Sequence, residues 1–252
     1  MIKILLNGCN GHMGKVLTDL IAADPDTETA AGIDIAPDAV KQSYQVFATP
    51  DACTADADVC IDFSNFHAVP GLLDYCAGKK LPLVLCTTGL TDEILTQVKA
   101  ASEKTAILRS ANMSLGINLL MKVLKEAAAT LAPAGYDMEI VEAHHNRKLD
   151  APSGTALALG ESMNEALNNE YHFVFNRHDR VEKRDAREIG ISSVRGGTIV
   201  GIHNVMFAGQ DEVIEFKHTA YSRAIFGNGA IQAAKFLAGK PAGMYDMSDV
   251  IG

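Results

Sequence analysis

Short apolar runs alternate with amphipathic stretches over the first part of the chain. The apolar runs are typical of buried strands, and the stretches between them repeat apolar residues at helical spacing. We predict strands over residues 2–6, 29–33, 59–63, 83–86 and 106–108, and helices over 13–23, 69–77 and 92–102. Strands that alternate with helices indicate a parallel, doubly wound sheet.

The pattern changes in the second part, where strands follow one another with turn residues between them. We predict helices over 115–131, 153–167 and 224–237, a strand over 138–141, and further strands over 190–194, 199–207 and 212–219. Glycines at 196–197 and 209 mark turns, so the last three strands are expected to be antiparallel. The charged segment 171–187 is predicted to be a loop, and 224–237 the closing helix.

Composition narrows the class of protein. The chain has 252 residues, a net charge of -9 and 48% apolar residues, as in a globular protein that avoids nucleic acid and anionic membranes. An anionic ligand would then need a local basic pocket. The apolar run at 2–6 is too short for a signal peptide, and no run reaches the roughly 20 residues of a membrane helix. Five cysteines without a C-x-x-C pair favour a reducing, cytoplasmic compartment.

A glycine-rich turn follows the first predicted strand. Gly8, Gly11 and Gly14 have the spacing G-x-x-G-x-x-G, with Asn10 at the middle glycine of the commoner fingerprint. Glycines let a backbone approach a pyrophosphate, which the following helix N-terminus can bind. We therefore predict a Rossmann-type dinucleotide-binding domain over 1–112, although the glycines could also serve only a tight strand–helix turn.

The second predicted strand ends at Asp34, 20 residues after Gly14. A carboxylate at this place typically binds the adenosine ribose hydroxyls, which favours NADH. NADPH remains an alternative, since His12, Lys15 or Lys41 could reach a 2'-phosphate. A solvated strand end is the other interpretation of Asp34.

The most informative stretch is the segment EAHHNRKLDAPSGTA at 142–156. In an extended strand the neighbouring residues His144 and His145 point to opposite faces, so they would have different tasks. Histidine suits acid catalysis near neutral pH. Lys148 can hold a carboxylate or stabilise developing negative charge, although an exposed loop lysine is the alternative. The spacing of the histidines does not indicate a metal site.

Ser153-Gly154-Thr155 has the pattern of a helix start, with Ser153 as the N-cap. Backbone N–H groups at such a start can seat a carboxylate. Capping alone would also explain these residues. We expect an α+β domain over 113–223 with an open mixed sheet, and expect the C-terminal part, 224–252, to return to the first domain.

The segment 142–156 closely resembles the signature of bacterial dihydrodipicolinate reductases, also called 4-hydroxy-tetrahydrodipicolinate reductases. The resemblance extends over nearly the whole chain and includes the segments 62–64, 87–89, 111–114, 195–197 and 222–223. It implies a cofactor site formed by Gly8, Asn10, Gly11, His12, Met13, Asp34, Phe63, Cys86, Thr87, Thr88, Ser110, Ala111, Asn112 and Met113. Many relatives have Arg where this chain has His12, which again favours NADH over NADPH.

The resemblance also implies an activity: reduction of a cyclic dicarboxylate to tetrahydrodipicolinate in lysine and diaminopimelate biosynthesis. The nicotinamide would deliver hydride to ring carbon C4, and His144 would protonate C3. Lys148 would support that step and contact a substrate carboxylate. The carboxylate-binding residues would be His145, Ser153, Gly154 and Thr155, with Arg223 as a further candidate. The family implies a homotetramer assembled through the substrate-domain sheet.

Two other functions are compatible with parts of the pattern. A two-domain amino-acid or sugar dehydrogenase, such as an aspartate dehydrogenase, would keep the fold and change the substrate. A nucleotide-sensing module would bind the cofactor without turnover and regulate a partner. The full motif from His144 to Thr155 argues against both.

Overall fold

The computed structural model of the protein describes residues 1–175, 177–178 and 180–252. The chain divides into two compact units, one formed by residues 1–114 together with 224–252 and the other by residues 115–223. The first unit is therefore discontinuous in sequence. None of the helices in the described part of the chain is long and apolar enough to span a membrane.

The first unit is built on a seven-stranded parallel sheet. Numbered in chain order, its strands are β1 (Ile2–Asn7), β2 (Thr27–Ile33), β3 (Val46–Phe47), β4 (Val59–Asp62), β5 (Leu83–Leu85), β6 (Ala106–Leu108) and β12 (Gly243–Tyr245). Its helices are α1 (His12–Ala23), α2 (Val69–Lys79), α3 (Asp92–Ser102), α6 (Ala224–Leu237) and α7 (Met247–Ile251). The order along the sheet is β12-β6-β5-β4-β1-β2-β3, and all neighbours pair in parallel.

Both faces of this sheet are buried, which explains why its strands are almost continuously apolar. In β1, Ile4 and Leu6 contribute to the core on one face and Leu5 to the core on the other. Helices α1 and α6 cover the first face, and α2 and α3 cover the second. The parallel arrangement places the carboxyl ends of the strands along one edge, where ligand-binding loops of doubly wound sheets occur.

The second unit is built on a mixed five-stranded sheet. Its strands are β7 (Asp137–His144), β8 (His172–Val174), β9 (Glu188–Arg195), β10 (Gly201–Ala208) and β11 (Val213–Ala220), and its helices are α4 (Leu115–Leu131) and α5 (Gly154–Ala166). The order is β11-β10-β7-β9-β8. Strand β7 is central, parallel to β9 and antiparallel to β10. The core includes Leu124 of α4, Leu159 of α5 and Ile140 of β7, so both helices pack against the sheet.

The predicted fold class, a doubly wound parallel sheet with a separate unit on a mixed sheet, is confirmed. The expectation of three successive antiparallel strands is wrong for the first of them. β10 and β11 form an antiparallel hairpin, whereas β9 runs parallel to both of its neighbours, β7 and β8. The glycines after β9 do not close a hairpin, because β7 lies between β9 and β10 in the sheet. Gly196 N–H donates to His144 O (2.9 Å). That bond ties the turn to the end of β7.

Several short elements also depart from the prediction. The segment 171–187 is not entirely a loop, since β8 lies within it as an edge strand parallel to β9. Helix α6 does not close the chain: β12 follows and pairs with β6, and α7 begins at a capping box of Asp246 and Asp249. The short strands β3 and β12 were not predicted because two or three residues have no detectable periodicity. Their pairing partners supply the stabilisation.

Candidate active site

The glycine-rich turn between β1 and α1 depends on glycine at two positions. Gly8 has a φ of +79°, and a Cβ there would lie 2.6 Å from Phe63 O. A Cβ on Gly14 would lie 2.3 Å from Gly8 O, so the start of α1 packs directly against the turn. Gly11 is the N-cap and the first turn of α1 holds no acidic residue. This cradle of backbone at a helix N-terminus fits a pyrophosphate.

Asp34, which follows β2, is bonded to the same turn. Its Oδ2 accepts from Asn10 N–H (3.0 Å) and its Oδ1 from Ala36 N–H (3.0 Å). The Asn10 side chain donates to Ala36 O (2.7 Å). The carboxylate is partly exposed, and it fixes the loop after β2 against the glycine turn. This is the place at which the sequence predicts a ribose contact.

The remaining predicted cofactor residues follow the strands of the same sheet. His12 and Met13 begin α1, Phe63 follows β4, and the others are Cys86, Thr87 and Thr88 after β5 and Ser110, Ala111, Asn112 and Met113 after β6. Thr87 is buried, and its Oγ1 accepts from Ser64 N–H (3.1 Å). Asn112 Oδ1 accepts from Ser114 N–H (2.8 Å), and Met113 is buried in the core. The carboxyl ends of parallel strands thus collect loops from distant parts of the sequence.

Asp62 at the end of β4 is a supporting residue absent from the predicted site. It is fully buried, and its Oδ1 accepts from Asn7 Nδ2 (2.7 Å) and from Ser64 Oγ (2.5 Å). Burial raises the pKa of the Asp62 carboxyl, against hydrogen bonds that act to lower it. Its bonds join the ends of β1 and β4 beside the glycine turn.

In the second unit, β7 carries an apolar face that ends in two ionisable side chains. Met138 and Ile140 are buried in the core, and Glu142 and His144 continue the same alternation with 0% and 8% of their surfaces exposed. The i, i+2 spacing places both on one face of the strand. Glu142 Oε2 lies 2.6 Å from His144 Nδ1. The strand ends there, and His145 starts the following loop.

Glu142 is the centre of a buried hydrogen-bond network. Arg195 on β9 donates from Nη1 to Oε2 (2.8 Å) and from Nη2 to Oε1 (2.8 Å). The backbone N–H of Ser153 donates to Oε1 (3.1 Å). Burial acts to raise the pKa of Glu142, but hydrogen bonds from Arg195 and the other donors lower it to about 2. The carboxylate is therefore ionised at neutral pH.

Ser153 begins α5 as its N-cap, as predicted, and it is almost fully buried. Its Oγ accepts from Ala156 N–H (3.2 Å) and lies 3.1 Å from His203 Nε2. Burial, and then the neighbouring His144, lower the pKa of His203 to about 4, so this imidazole is neutral near pH 7. The structure thus places the Ser153 hydroxyl inside a network, whereas Gly154 and Thr155 of the first helical turn lie nearer the surface.

A cavity of about 470 Å³ in the same unit is lined by His145, Arg147, Thr198, Val200 and Arg223. His145 Nδ1 is buried and has no hydrogen-bond partner among the described residues. Burial and the positive charges of the two arginines lower the pKa of His145. In a chain of net charge -9, this is the basic pocket that an anionic ligand requires.

Lys148, the other predicted catalytic residue, lies in the loop after β7. Its Nζ is 2.9 Å from Asp150 Oδ1, and its side chain is 22% exposed. Within the described part of the chain, no group of three His, Cys, Asp or Glu side chains could hold a metal ion.

Sequence reasoning identified the histidines and the helix start but missed their partners. Glu142 had a detectable signal, because it shares the face of His144 at the end of an alternating strand. Arg195 and His203 come from β9 and β10, at least 50 residues further along the chain than their partners Glu142 and Ser153, and had no local signal. The cavity residues Arg147, Thr198 and Val200 were also not predicted.

The first unit has a doubly wound sheet with a phosphate cradle, and the second unit holds both a basic cavity and a buried carboxylate–imidazole pair. Together these features define a class of protein. That class is the two-domain, nicotinamide dinucleotide-dependent oxidoreductases. Comparison with known proteins identifies the family within this class. The family model described as dihydrodipicolinate reductase, N-terminus, matches residues 2–113, and that of the C-terminus matches residues 116–251. The chain belongs to the dihydrodipicolinate reductase family, which confirms the resemblance found in the sequence.

Relatives extend over the full length. The chain is 47% identical to the 4-hydroxy-tetrahydrodipicolinate reductase of Caldanaerobacter subterraneus subsp. tengcongensis, covering 100% of this chain and 98% of the relative. It is 46% identical to that of Clostridium botulinum strain Eklund 17B, with coverage of 100% and 99%. A solved structure of dipicolinate-bound dihydrodipicolinate reductase from Paenisporosarcina sp. TG-14 has a TM-score of 0.82 at 26% identity, covering 98% and 97% of the two chains. The protein is accordingly an oxidoreductase that uses a nicotinamide dinucleotide.

Proposed function

We propose that this protein reduces 4-hydroxy-tetrahydrodipicolinate, or the dihydrodipicolinate formed from it, to tetrahydrodipicolinate in lysine and diaminopimelate biosynthesis. The observation that carries the proposal is the buried Glu142–His144 pair in the unit that also holds the basic cavity. An imidazole can supply the proton of a reduction, and basic side chains can hold a dicarboxylate. The names of the relatives support the same reaction.

Different residues supply the proton and bind the two carboxylates of the substrate. A bound NADH or NADPH supplies a hydride, which the family resemblance directs to ring carbon C4. The ring that reacts is dihydrodipicolinate, which forms from the 4-hydroxy compound when the hydroxyl group leaves as water. His144 donates a proton to C3, so the two electrons of the C3–C4 double bond form the new C3–H bond. Lys148 contacts a carboxylate and supports this step. The second carboxylate is held by His145 and by the helix start at Gly154 and Thr155, with Arg223 at the cavity wall.

The cofactor preference is proposed to favour NADH. Asp34 is partly exposed beside the glycine turn, where its charge would oppose a 2'-phosphate. The three residues that follow it, Ile35, Ala36 and Pro37, offer no positive charge. NADPH use through His12, Lys15 or Lys41 is the alternative, and the ratio of the two activities measures the preference.

The experiment that tests the function is cofactor oxidation with substrate generated in place. The upstream synthase, with pyruvate and aspartate semialdehyde, supplies the substrate, and NADH and NADPH are compared side by side. Turnover that requires the synthase supports the proposal, and faster turnover with NADH supports the preference. No turnover with either, in a folded protein that binds the cofactor, would overturn it and favour a different two-domain dehydrogenase.

The homotetramer and the cytoplasmic location stay predictions. A surface available for assembly supports the first, since α4 and α5 pack on the sheet of the second unit while Val194 and Val213 on its strands are 49% and 58% exposed. Light scattering coupled to gel filtration measures the oligomer.

A further inference from the structure

Resting on the proposed function, our further inference concerns the residue that holds the acid in place. We propose that Glu142 is a positioning residue for His144: its carboxylate accepts a hydrogen bond from Nδ1–H, so that in the imidazolium form Nε2–H is the proton delivered to the substrate. The distance from Glu142 Oε2 to His144 Nδ1 is 2.6 Å, and both side chains are buried. A carboxylate in this place fixes the tautomer and the orientation of an imidazole.

Glu142 can act in this way because it stays ionised. It is fully buried, and Arg195 binds both of its oxygens at 2.8 Å. These bonds, with those from other donors, lower the pKa of the carboxyl to about 2. The carboxylate therefore only accepts hydrogen bonds at neutral pH, and its 2.6 Å contact with His144 requires that Nδ1 carries a proton.

The surroundings of the other ring nitrogen agree with this assignment. A Cβ on Gly201 of β10 would lie 3.1 Å from His144 Nε2, so glycine leaves room at that atom. The His203 ring, edge-on with its centroid 5.2 Å away, is neutral near pH 7 and adds no positive charge beside the acid. Among the described residues, the titratable or charged groups around the pair include Arg195 on β9, His203 on β10, and His145 and Lys148 in the loop after β7. His218 on β11 lies behind His203, with 6.5 Å between the ring centroids.

The same carboxylate also binds the start of α5. Ser153 N–H donates to Glu142 Oε1 (3.1 Å), and Ser153 is the N-cap of the helix whose first turn contains Gly154 and Thr155. One buried side chain therefore aligns the proton donor with the N–H groups proposed to seat a substrate carboxylate. Glu142 therefore sets two things: the tautomer of His144, and the position of His144 relative to the N–H groups of the proposed anion site.

The chain offers a matched control for the test. Glu188 is equally buried, lies on the same sheet and is paired with arginines, but it does not contact His144. We compare Glu142→Gln with Glu188→Gln by measuring kcat and KM across pH. Glu142→Gln is expected to lower kcat about 10- to 1000-fold with KM changed less than about threefold, and to shift the alkaline fall of kcat to lower pH. Glu188→Gln is expected to keep kcat and the pH profile.

A spectroscopic measurement needs no turnover. In protein labelled with 15N-histidine, the ring-nitrogen shifts of His144, assigned with His144→Gln, report which nitrogen carries the proton. Neutral His144 protonated at Nδ1 in the wild type, and a changed tautomer population in Glu142→Gln, are the expected results. Protonation at Nε2 in the wild type, or an unchanged kcat and pH profile in Glu142→Gln, would overturn the proposal.

The two proposals can fail separately. Absence of turnover in the wild type, with the Nδ1 tautomer present, would overturn the proposed reaction and leave the Glu142 contact supported. If Glu142→Gln does not fold, the wild-type ring shifts and the variant Glu142→Asp decide. Glu142→Asp keeps the negative charge on a shorter side chain. We therefore expect this variant to lose less than about tenfold in kcat and to keep the wild-type pH profile.

Discussion

Glu142 and Glu188 are two glutamates of one sheet that are alike in burial, in pKa and in their pairing with arginines. They differ in their other neighbours. Each has 0% of its surface exposed, and each has a pKa lowered to about 2 by hydrogen bonds that overcome the effect of burial. Both pair with arginines. Because β7 and β9 are parallel, Glu142 near the end of one and Glu188 at the start of the other lie at opposite ends of the sheet.

Around Glu188 the partners are mostly arginines. Arg177 Nη1 and Arg180 Nη1 bind its carboxylate, the second at 2.7 Å, and Arg184 donates to its backbone oxygen (2.5 Å). Arg184 also reaches Glu139 (3.2 Å), so the cluster ties the segment before β9 to β7. Guanidinium groups do not release protons in proteins. This cluster therefore offers no proton donor among its arginines, and its role is to hold the segment before β9 in place.

Around Glu142 one partner is a histidine, a side chain that can act as a proton donor. His144 is 2.6 Å away, while the histidine beside Glu188, His172, is 3.9 Å away and largely exposed. Burial and a shifted pKa are thus shared by a carboxylate of the proposed active site and by one with a structural role. The identity and distance of the partner distinguish them.

The largest expected effect tests this distinction at the two histidines. His144→Gln should lower kcat about 10²- to 10⁴-fold with little change in KM, because a proton donor needed only in the transition state is removed. His172→Gln, the control beside the other glutamate, should keep kcat within about twofold of wild type. Steady-state kinetics with synthase-generated substrate measures both. A loss below tenfold in His144→Gln would contradict its assignment as the acid.

A smaller effect is expected at two glycines that face the two clusters. A Cβ at Gly201 would lie 3.1 Å from His144 Nε2, and one at Gly190 would lie 1.8 Å from Glu139 Oε2. Gly201→Ala should displace the imidazole and lower kcat about tenfold. Gly190→Ala should displace Glu139 from its arginines and lower the free energy of unfolding by about 1–3 kcal/mol, with kcat kept. Kinetics and urea unfolding of both variants separate the outcomes, and the reverse pattern would contradict the comparison.

The smallest difference between the two clusters is expected in the stability of the protein at low pH. For each carboxylate the folded-state pKa of about 2 lies below the ordinary 4.5, so its stabilisation is present above about pH 4.5 and is lost as pH falls towards 2. Urea unfolding at several pH values should show a shallower loss of stability in this window for Glu142→Gln and for Glu188→Gln than for wild type. A wild-type slope in either variant would mean that its glutamate is not ionised and paired in the folded state.

The regular elements of the chain could be predicted from local pattern. Helices α3, α4 and α6 have the predicted bounds because each is long enough to show helical spacing. Strand β6 has the predicted bounds because its three residues form a fully apolar run. The parallel order of β9, by contrast, depends on which strand lies beside it. No pattern within 190–194 distinguishes a parallel neighbour from an antiparallel one.

The sequence by itself determined the glycine turn, the alternation that buries His144, and the helix start at Ser153, because each depends on residues close together in the chain. Only the tertiary structure decided that Arg195, His203 and Gly201 surround the acid. These residues reach His144 through the pairing of β9 and β10 with β7. Distant segments of a chain can compete for the same backbone hydrogen bonds, and the register of the strand pairing that forms sets which side chains meet.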